Sequence, residues 1–264
     1  MNSLLKILQI TKLIFSEINL QRKRLFFMKR TKANYWIILN FLWKNLPYRF
    51  FIFSNPFQDH IKAFNQHLDT LDYDDDWFSN NIIFWKKIIS QNDLDKKVRS
   101  SLEIGSWQGI SANYILVNLP LTHLSIVDTF LGSSEHNNEN FSKKITSNIE
   151  KKFDKNTIKF KKRISKYKQT SYSFFIENNL TKKYDFIYVD GSHYFDDVIV
   201  DLLKSFERLN NHGIMIIDDY FWKHYNNILE NNAFAINSFL MLKKKEIEII
   251  GFDYQIAIKK IKPT

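Results

Sequence analysis

The sequence of 264 residues predicts an α/β fold built on a mostly parallel sheet, and three observations carry that expectation. From about residue 76 onward, strand-like and helix-like segments alternate about every 25 to 30 residues, the rhythm of βαβ units. Two short apolar runs, residues 184–193 (YDFIYVDGSH) and 213–220 (GIMIIDDY), end abruptly in carboxylates, as buried strands do where they reach the rim of such a sheet. The chain then closes with two β-branched and aromatic runs, 245–250 and 254–260. Gly251-Phe252-Asp253 separates them, a spacing that suits an antiparallel hairpin.

Taken in chain order, residues 1–55 read as basic, aromatic-rich helices ending near Pro56. Residues 1–52 carry ten Lys/Arg against the single Glu17, a net of +9, whereas the remaining 212 residues carry only +1 of the formal +10. The excess charge is therefore a property of the extension and not of the sheet domain. Two readings compete for it: helices packed on the main domain with their lysines in water, or a surface lying on a membrane or acidic glycolipid, with Leu4, Leu5, Leu8 and Phe15 beneath. The most apolar window, residues 36–53, is interrupted by Lys44, Pro47 and Arg49, well short of the roughly 20 apolar residues a spanning helix needs. The start, MNSLLKILQITKLIF, has lysines inside its apolar stretch and no small-residue cleavage site, so a cytoplasmic protein, peripheral to a membrane at most, is expected. With no cysteine, disulfides and thiolate-ligated metals are excluded.

An acidic stretch, residues 68–76 (LDTLDYDDD), leads into an amphipathic helix over Asp76–Ile89, with Asp76 or Ser79 as N-cap. The division expected is an extension and connector over 1–75 and a sheet domain over 76–264. Within the domain, strands are predicted at Ser101–Ile104, His123–Asp128, Ile158–Arg163, Tyr184–Asp190 and Ile214–Asp218, followed by the closing hairpin. The first strand runs into Gly105-Ser106-Trp107-Gln108-Gly109 and then an apolar helix. That turn offers free N–H groups and close backbone approach, but its GxxxG spacing is not a dinucleotide fingerprint. Glu103 just before it favours a ligand with positive charge over a pyrophosphate. Asp128, at the end of the second strand, can accept both hydrogen bonds of a ribose diol, so the pair suggests a nucleoside ligand.

Asp190, Asp218 and Asp219 would meet at the carboxyl ends of neighbouring strands. Three carboxylates there repel one another unless a cation lies between them, and a hard divalent ion is the simplest candidate. His193, three residues past Asp190, is suited to proton abstraction because imidazole titrates near neutrality. On the polar loop after the second strand, His136 is a candidate acceptor contact; Tyr220 is another. Trp77, Trp85, Trp107 and Trp222 are candidates for an apolar wall beside the acceptor.

The series LEIGSWQG, SIVDTF, YDFIYVDGSHYFDD and NNHGIMIIDDYFW resembles class I S-adenosylmethionine-dependent methyltransferases. Within them it is most similar to the metal-dependent sugar O-methyltransferases of the macrocin and aminocoumarin type, over residues 76 to 260. That resemblance implies a Rossmann-like three-layer sandwich with a seven-stranded sheet and an antiparallel C-terminal hairpin. By the same resemblance Glu103, Gly105, Ser106 and Gly109 form the turn that holds the cofactor, with Glu103 and Gly105 at its methionine portion, and Asp128 binds the ribose. It further implies that Asp190, Asp218 and Asp219 bind magnesium or a similar ion, with His193 as the general base, since the alternative base position holds Ser192. The expected partner is a small-molecule or glycan acceptor, and homo-oligomerisation is left open. The competing readings are a nucleic-acid-associated protein and a membrane-surface binding protein, either with a non-catalytic methyltransferase-like domain.

Overall fold

The computed structural model describes residues 2–51, 57–132, 148–177 and 182–262. Helices α1 (Asn2–Arg30), α2 (Tyr35–Phe51) and α3 (Gln58–Leu68) precede α4 (Ile82–Gln91) and the short α5 (Leu94–Lys97). Next come β1 (Ser100–Ile104), α6 (Ile110–Asn118), β2 (His123–Asp128), α7 (Ile149–Thr157), β3 (Ile164–Lys168) and α8 (Ser171–Glu177). The chain ends with β4 (Tyr184–Val189), α9 (Phe195–Arg208), β5 (Leu209–Ile217), α10 (Asn232–Leu242), β6 (Ile247–Phe252) and β7 (Ile256–Lys260). One seven-stranded sheet has the order β3-β2-β1-β4-β5-β7-β6. β1 to β5 run parallel, while β7 pairs antiparallel with both β5 and β6.

Strand alternation splits the core into the two faces of this sheet. Along β4, Ile187 and Val189 pack with Met215, Ile217, Leu202 and Phe239 on one side. Phe186 and Tyr188 pack with Trp85, Tyr114, Ile126 and Ile216 on the other. A strand buried on both faces reads as a continuous apolar run, which is why YDFIYV was legible as a central strand.

Several elements depart from the expected boundaries; the closing strands run over Ile247–Phe252 and Ile256–Lys260, so Gly251 and Phe252 belong to β6 and not to the connection. Residues 158–163, predicted as the third strand, form a 3₁₀ turn, and the strand begins at Ile164. Arg163 is the cause. Its guanidinium donates to the carbonyls of Leu116, Leu119 and Thr122 (2.8–3.0 Å), closing the end of α6 and tying residue 163 down outside the sheet. The helix expected over Asp76–Ile89 begins as a 3₁₀ turn at Ser79 and continues as α4; Asp76 Oδ1 accepts the N–H groups of Phe78 and Ser79, but the residues at the two helix starts are Phe78 and Asn81, not the expected Asp76 or Ser79. β5 starts five residues earlier than predicted, at Leu209.

The extension packs on the domain. α1 and α2 fold back on each other, joined by a Gln21–Asn45 hydrogen bond (2.8 Å), and Met28, Ile37 and Phe41 are fully buried in the core formed with α9 and α10. Arg24 forms an ion pair with Asp253 at 2.5 Å, Asn45 donates to the same carboxylate, and Asn237 donates to the carbonyl of Thr31. Because the Arg24–Asp253 pair is largely shielded from water, Arg24→Ala removes the cation that compensates this carboxylate. A loss of about 3 kcal/mol of unfolding free energy is expected, measurable by urea denaturation. Among the described residues, no helix is long and apolar enough to cross a membrane.

Candidate active site

At the carboxyl ends of β1, β2 and β4 lies a cavity of about 500 Å³. Its floor is the β1–α6 turn. Gly105 has φ +79°, and a Cβ there would lie 1.9 Å from the carbonyl oxygen of Asp190, so the glycine is demanded by the neighbouring strand end as well as by its own conformation. Gly109, with φ +85°, precedes α6. Ser106 and Gly105 line the cavity; Glu103 lies beneath them, fully buried.

Glu103 accepts the hydroxyl of Ser106 at Oε2 (2.8 Å), and its Oε1 has no hydrogen-bond partner. Burial pushes its pKa up to about 8, with the Ser111 and Ser106 hydroxyls opposing and Asp128 adding to the rise. An unsatisfied buried carboxylate oxygen is a costly feature unless a donor or a cation meets it.

Asp128 lines the cavity too, but its carboxylate is already engaged: Oδ2 accepts the N–H groups of Ser106 (2.7 Å) and Trp107 (2.9 Å), and Oδ1 that of Phe130 (2.6 Å). Of about four acceptor positions on a carboxylate, roughly one is left. Asp128 therefore shapes the glycine turn in addition to facing any ligand. Trp77 and Trp107 stand at the cavity as a tilted pair, ring centroids 5.1 Å apart.

At the end of β4 and beyond β5, Asp190, His193 and Asp219 converge, each offering one ligand atom, all within 4.8 Å of one another. His193 Nε2 lies 2.7 Å from Asp219 Oδ2, and its ring stacks on Trp222 with centroids 4.5 Å apart. Asp219 holds a left-handed conformation, φ +58°, which is unusual for a non-glycine residue and is the kind of backbone strain found at functional sites.

Asp218, expected in the same cluster, is turned away from it. Its Oδ2 accepts the Tyr188 hydroxyl and Gln255 Nε2 (2.7 Å), and its Oδ1 accepts the N–H of Asp219. The Tyr188 hydroxyl also lies 2.9 Å from Asp190 Oδ2, and Trp85 Nε1 donates to Gln255 (2.7 Å). One buried carboxylate, Asp218, and one half-buried, Asp190, thus share one phenol. Burial raises the pKa of Asp190 well above the carboxylate range, the charges of Asp218 and Asp219 add to it, and His193 opposes. Asp218 is shifted upward by burial and by Asp219.

Two expectations for the acceptor need correction or fall outside view. Tyr220 is fully buried; its hydroxyl donates to Asn237 (2.7 Å), and its ring packs edge-on against Phe221 and Phe252, so it faces the core under the extension and not a substrate. His136 lies outside the described residues. Trp85, also a candidate for the acceptor wall, is wholly internal. The reading from sequence missed Tyr188, Gln255 and Asp201. Tyr188 and Gln255 carried no signal, since a tyrosine and a glutamine inside runs read as strands look like packing residues.

Residues 102–220 match the model of a family described as a methyltransferase domain. A curated relative, Uncharacterized protein R132 of Acanthamoeba polyphaga mimivirus, is 24% identical over 135 residues, 49% of this chain. The match spans about half, 55%, of that relative's length. Among solved structures, a candidate caffeoyl-CoA O-methyltransferase from Staphylococcus aureus superposes with a TM-score of 0.52 at 15% identity, covering 82% of this chain and 100% of its own. The O-methyltransferase TomG of Streptomyces achromogenes, in complex with S-adenosylmethionine, gives 0.51 at 10% identity, covering 77% of this chain and 89% of its own. MycE of the mycinamycin pathway, in complex with Mg, SAH and mycinamycin VI, gives 0.50 at 13% identity, covering 72% of this chain and 51% of its own. Identities this low speak for the fold, and the fold agrees with the family model. The chain therefore has the fold of these O-methyltransferases, and residues 102–220 are the part that matches the methyltransferase-domain model.

Proposed function

We propose that this chain is an O-methyltransferase that transfers the methyl group of S-adenosylmethionine to a hydroxyl of a sugar or glycan, assisted by a divalent cation such as magnesium. The observation that carries the reading is the convergence of Asp190, Asp219 and His193 beside a cavity whose floor is the glycine turn. MycE, which shares the fold, was solved with Mg, SAH and mycinamycin VI in one complex.

The residues present fit both groups. Glu103, with Oε1 unsatisfied, suits a cationic ammonium; Ser106 and Gly105 face the same space; and Asp128 has an acceptor position left for a ribose hydroxyl. Asp190 and Asp219 offer the hard oxygens a divalent cation prefers, with strain at Asp219 holding its carboxylate toward His193. Asp218 would join them only by giving up Gln255 and Tyr188; where it stands, it holds Asp190 through the shared phenol. When bound, the cofactor supplies an electrophilic methyl on sulfur and the cation supplies acidity to the acceptor hydroxyl.

The chain's own residues do the remainder. His193 would take the acceptor's hydroxyl proton through the ring nitrogen that does not face Asp219, while Asp219 Oδ2, 2.7 Å from Nε2, would stabilise the imidazolium that forms. Stacking on Trp222 fixes the ring plane. The aromatic pair Trp77–Trp107 lines the cavity with apolar surface. Holding donor and acceptor in line contributes a large part of the acceleration in any such transfer.

Calorimetry tests the cofactor part. S-adenosylmethionine is expected to bind, and Asp128→Ala to weaken it at least tenfold, because that change removes a ribose acceptor and releases three amides of the turn. Unchanged affinity in the variant would remove Asp128 from the cofactor site.

A further inference from the structure

We infer that the outer face of the α1–α2 hairpin docks the protein on an anionic lipid bilayer, lying in the interface without crossing it. The inference is independent of the methyl acceptor. It stands on the way the two helices divide their faces. Arg24, Met28 and Thr31 of the first helix and its turn, and Ile37, Phe41 and Asn45 of the second, are buried against the domain. About half a helical turn away on each helix, the opposite face is apolar where water would favour polar residues.

On α1 that outward stripe is Phe15, Ile18, Arg22, Phe26 and Lys29, with Phe15 and Phe26 63% and 64% exposed. On α2 it is Tyr35, Leu39 and Trp43 at i, i+4 and i+8, exposed by 86%, 63% and 78%. Since both helices bury their inner faces on the same domain, and Gln21 ties α1 to Asn45 of α2, the two stripes look outward together. The result is a two-helix apolar surface rimmed by the exposed cations Arg22, Lys23, Lys29, Arg30 and Lys32. Arg30 lies over the ring of Phe26, 5.8 Å from its centroid. Glu17 is the single carboxylate of residues 1–52, and Gln21 donates to it.

Charge decides which occupant fits. A second copy of the chain would bring two faces rimmed by Arg22, Lys23, Lys29, Arg30 and Lys32 together, and like charges across an isologous interface are unfavourable. Nucleic acid would satisfy the cations and could stack on Phe26, Tyr35 or Trp43, yet it would leave the aliphatic Ile18 and Leu39 without an apolar partner. A bilayer of anionic lipid meets both halves of the surface at once: headgroup charge for the lysines and arginines, acyl boundary for the aromatic and aliphatic side chains. Tyrosine and tryptophan are the residues that favour that boundary.

The test is sedimentation of the full chain with vesicles of phosphatidylcholine alone and of phosphatidylcholine containing phosphatidylglycerol. Partitioning onto the anionic vesicles is expected to be at least about tenfold stronger and to fall as salt is raised. Leu39→Ser/Trp43→Ser should lower it about tenfold or more, and Arg22→Glu/Lys29→Glu should do the same. These side chains are exposed, so thermal melting should be unchanged in both variants. Trp43→Phe, which keeps an apolar anchor, should bind as the parent does, and a loss there equal to that of Leu39→Ser/Trp43→Ser would overturn the anchoring argument. Equal or absent binding to both vesicle types would overturn the inference. So would a dimer in sedimentation velocity that Leu39→Ser/Trp43→Ser disperses, or binding to nucleic acid in place of vesicles.

Discussion

Asp190→Asn is expected to abolish methyl transfer and, in metal-free buffer, to make the protein more stable. Both effects have one cause. Asp190 stands half-buried beside Asp218 and Asp219, and all three would be charged together only at high cost without a cation. The amide keeps the shape and can still meet the Tyr188 hydroxyl, but it removes the repulsion, so stability should rise by about 1 to 3 kcal/mol. Turnover should fall on the order of a thousandfold, because a neutral amide holds a divalent ion weakly. Thermal melting in excess chelator and a methyl-transfer assay with added magnesium provide the two readouts. Chelation of the unaltered protein should reproduce the loss of turnover without the gain in stability. If Asp190→Asn melts lower than the parent in chelator, the cluster is a structural network; full turnover in chelator would remove the cation from the mechanism.

The second large effect concerns Glu103. An unfolded glutamate ionises near 4.5, whereas in the native protein burial moves this one to about 8. Between those values the native state holds a proton that the unfolded state has released. The stability associated with that proton is complete below about pH 4.5 and is lost as pH rises to 8, by about 5 kcal/mol at most. Glu103→Gln cannot ionise and still accepts the Ser106 hydroxyl. Other buried carboxylates add their own slopes, so the informative quantity is the difference between parent and variant. Above pH 8 the variant should melt several degrees higher than the parent, and near pH 5 the two should converge. S-adenosylmethionine affinity should move the other way, falling in the variant because the ionised carboxylate is what an ammonium group would meet. Parallel melting curves across pH 5 to 9 would show that Glu103 ionises normally.

The parallel strands were legible because their chemistry is local. In β1, β2 and β4 an apolar run stops at an acidic residue or a glycine, and those stops are the rim of the sheet. The third strand was displaced for a reason no local pattern shows: Arg163 reaches back across more than forty residues to close α6. The site divides in the same way. Glu103, Gly105, Asp128, Asp190 and His193 could be placed from the strand ends on which they sit. Whether Asp218 or Asp219 faces His193 depends on a left-handed turn at Asp219 and on Gln255, which arrives from the far side of the closing hairpin. Tyr220 was misjudged because adjacency to Asp219 in sequence suggests a shared surface, whereas the same turn sends its ring into the core beneath α1 and α2.

The order of the sheet carries a consequence for how the protein comes into being. β7 is the last strand to leave the ribosome, yet it is inserted between β5 and β6, and Gln255 at its threshold is the partner that holds Asp218. Throughout synthesis the margin of β5 is therefore an open, apolar template for pairing with foreign chains. A nascent polypeptide halted before residue 255 has every described strand but one and neither a sealed sheet nor a braced acidic cluster. For this molecule, assembly and competence are completed by the same six residues, 255 to 260.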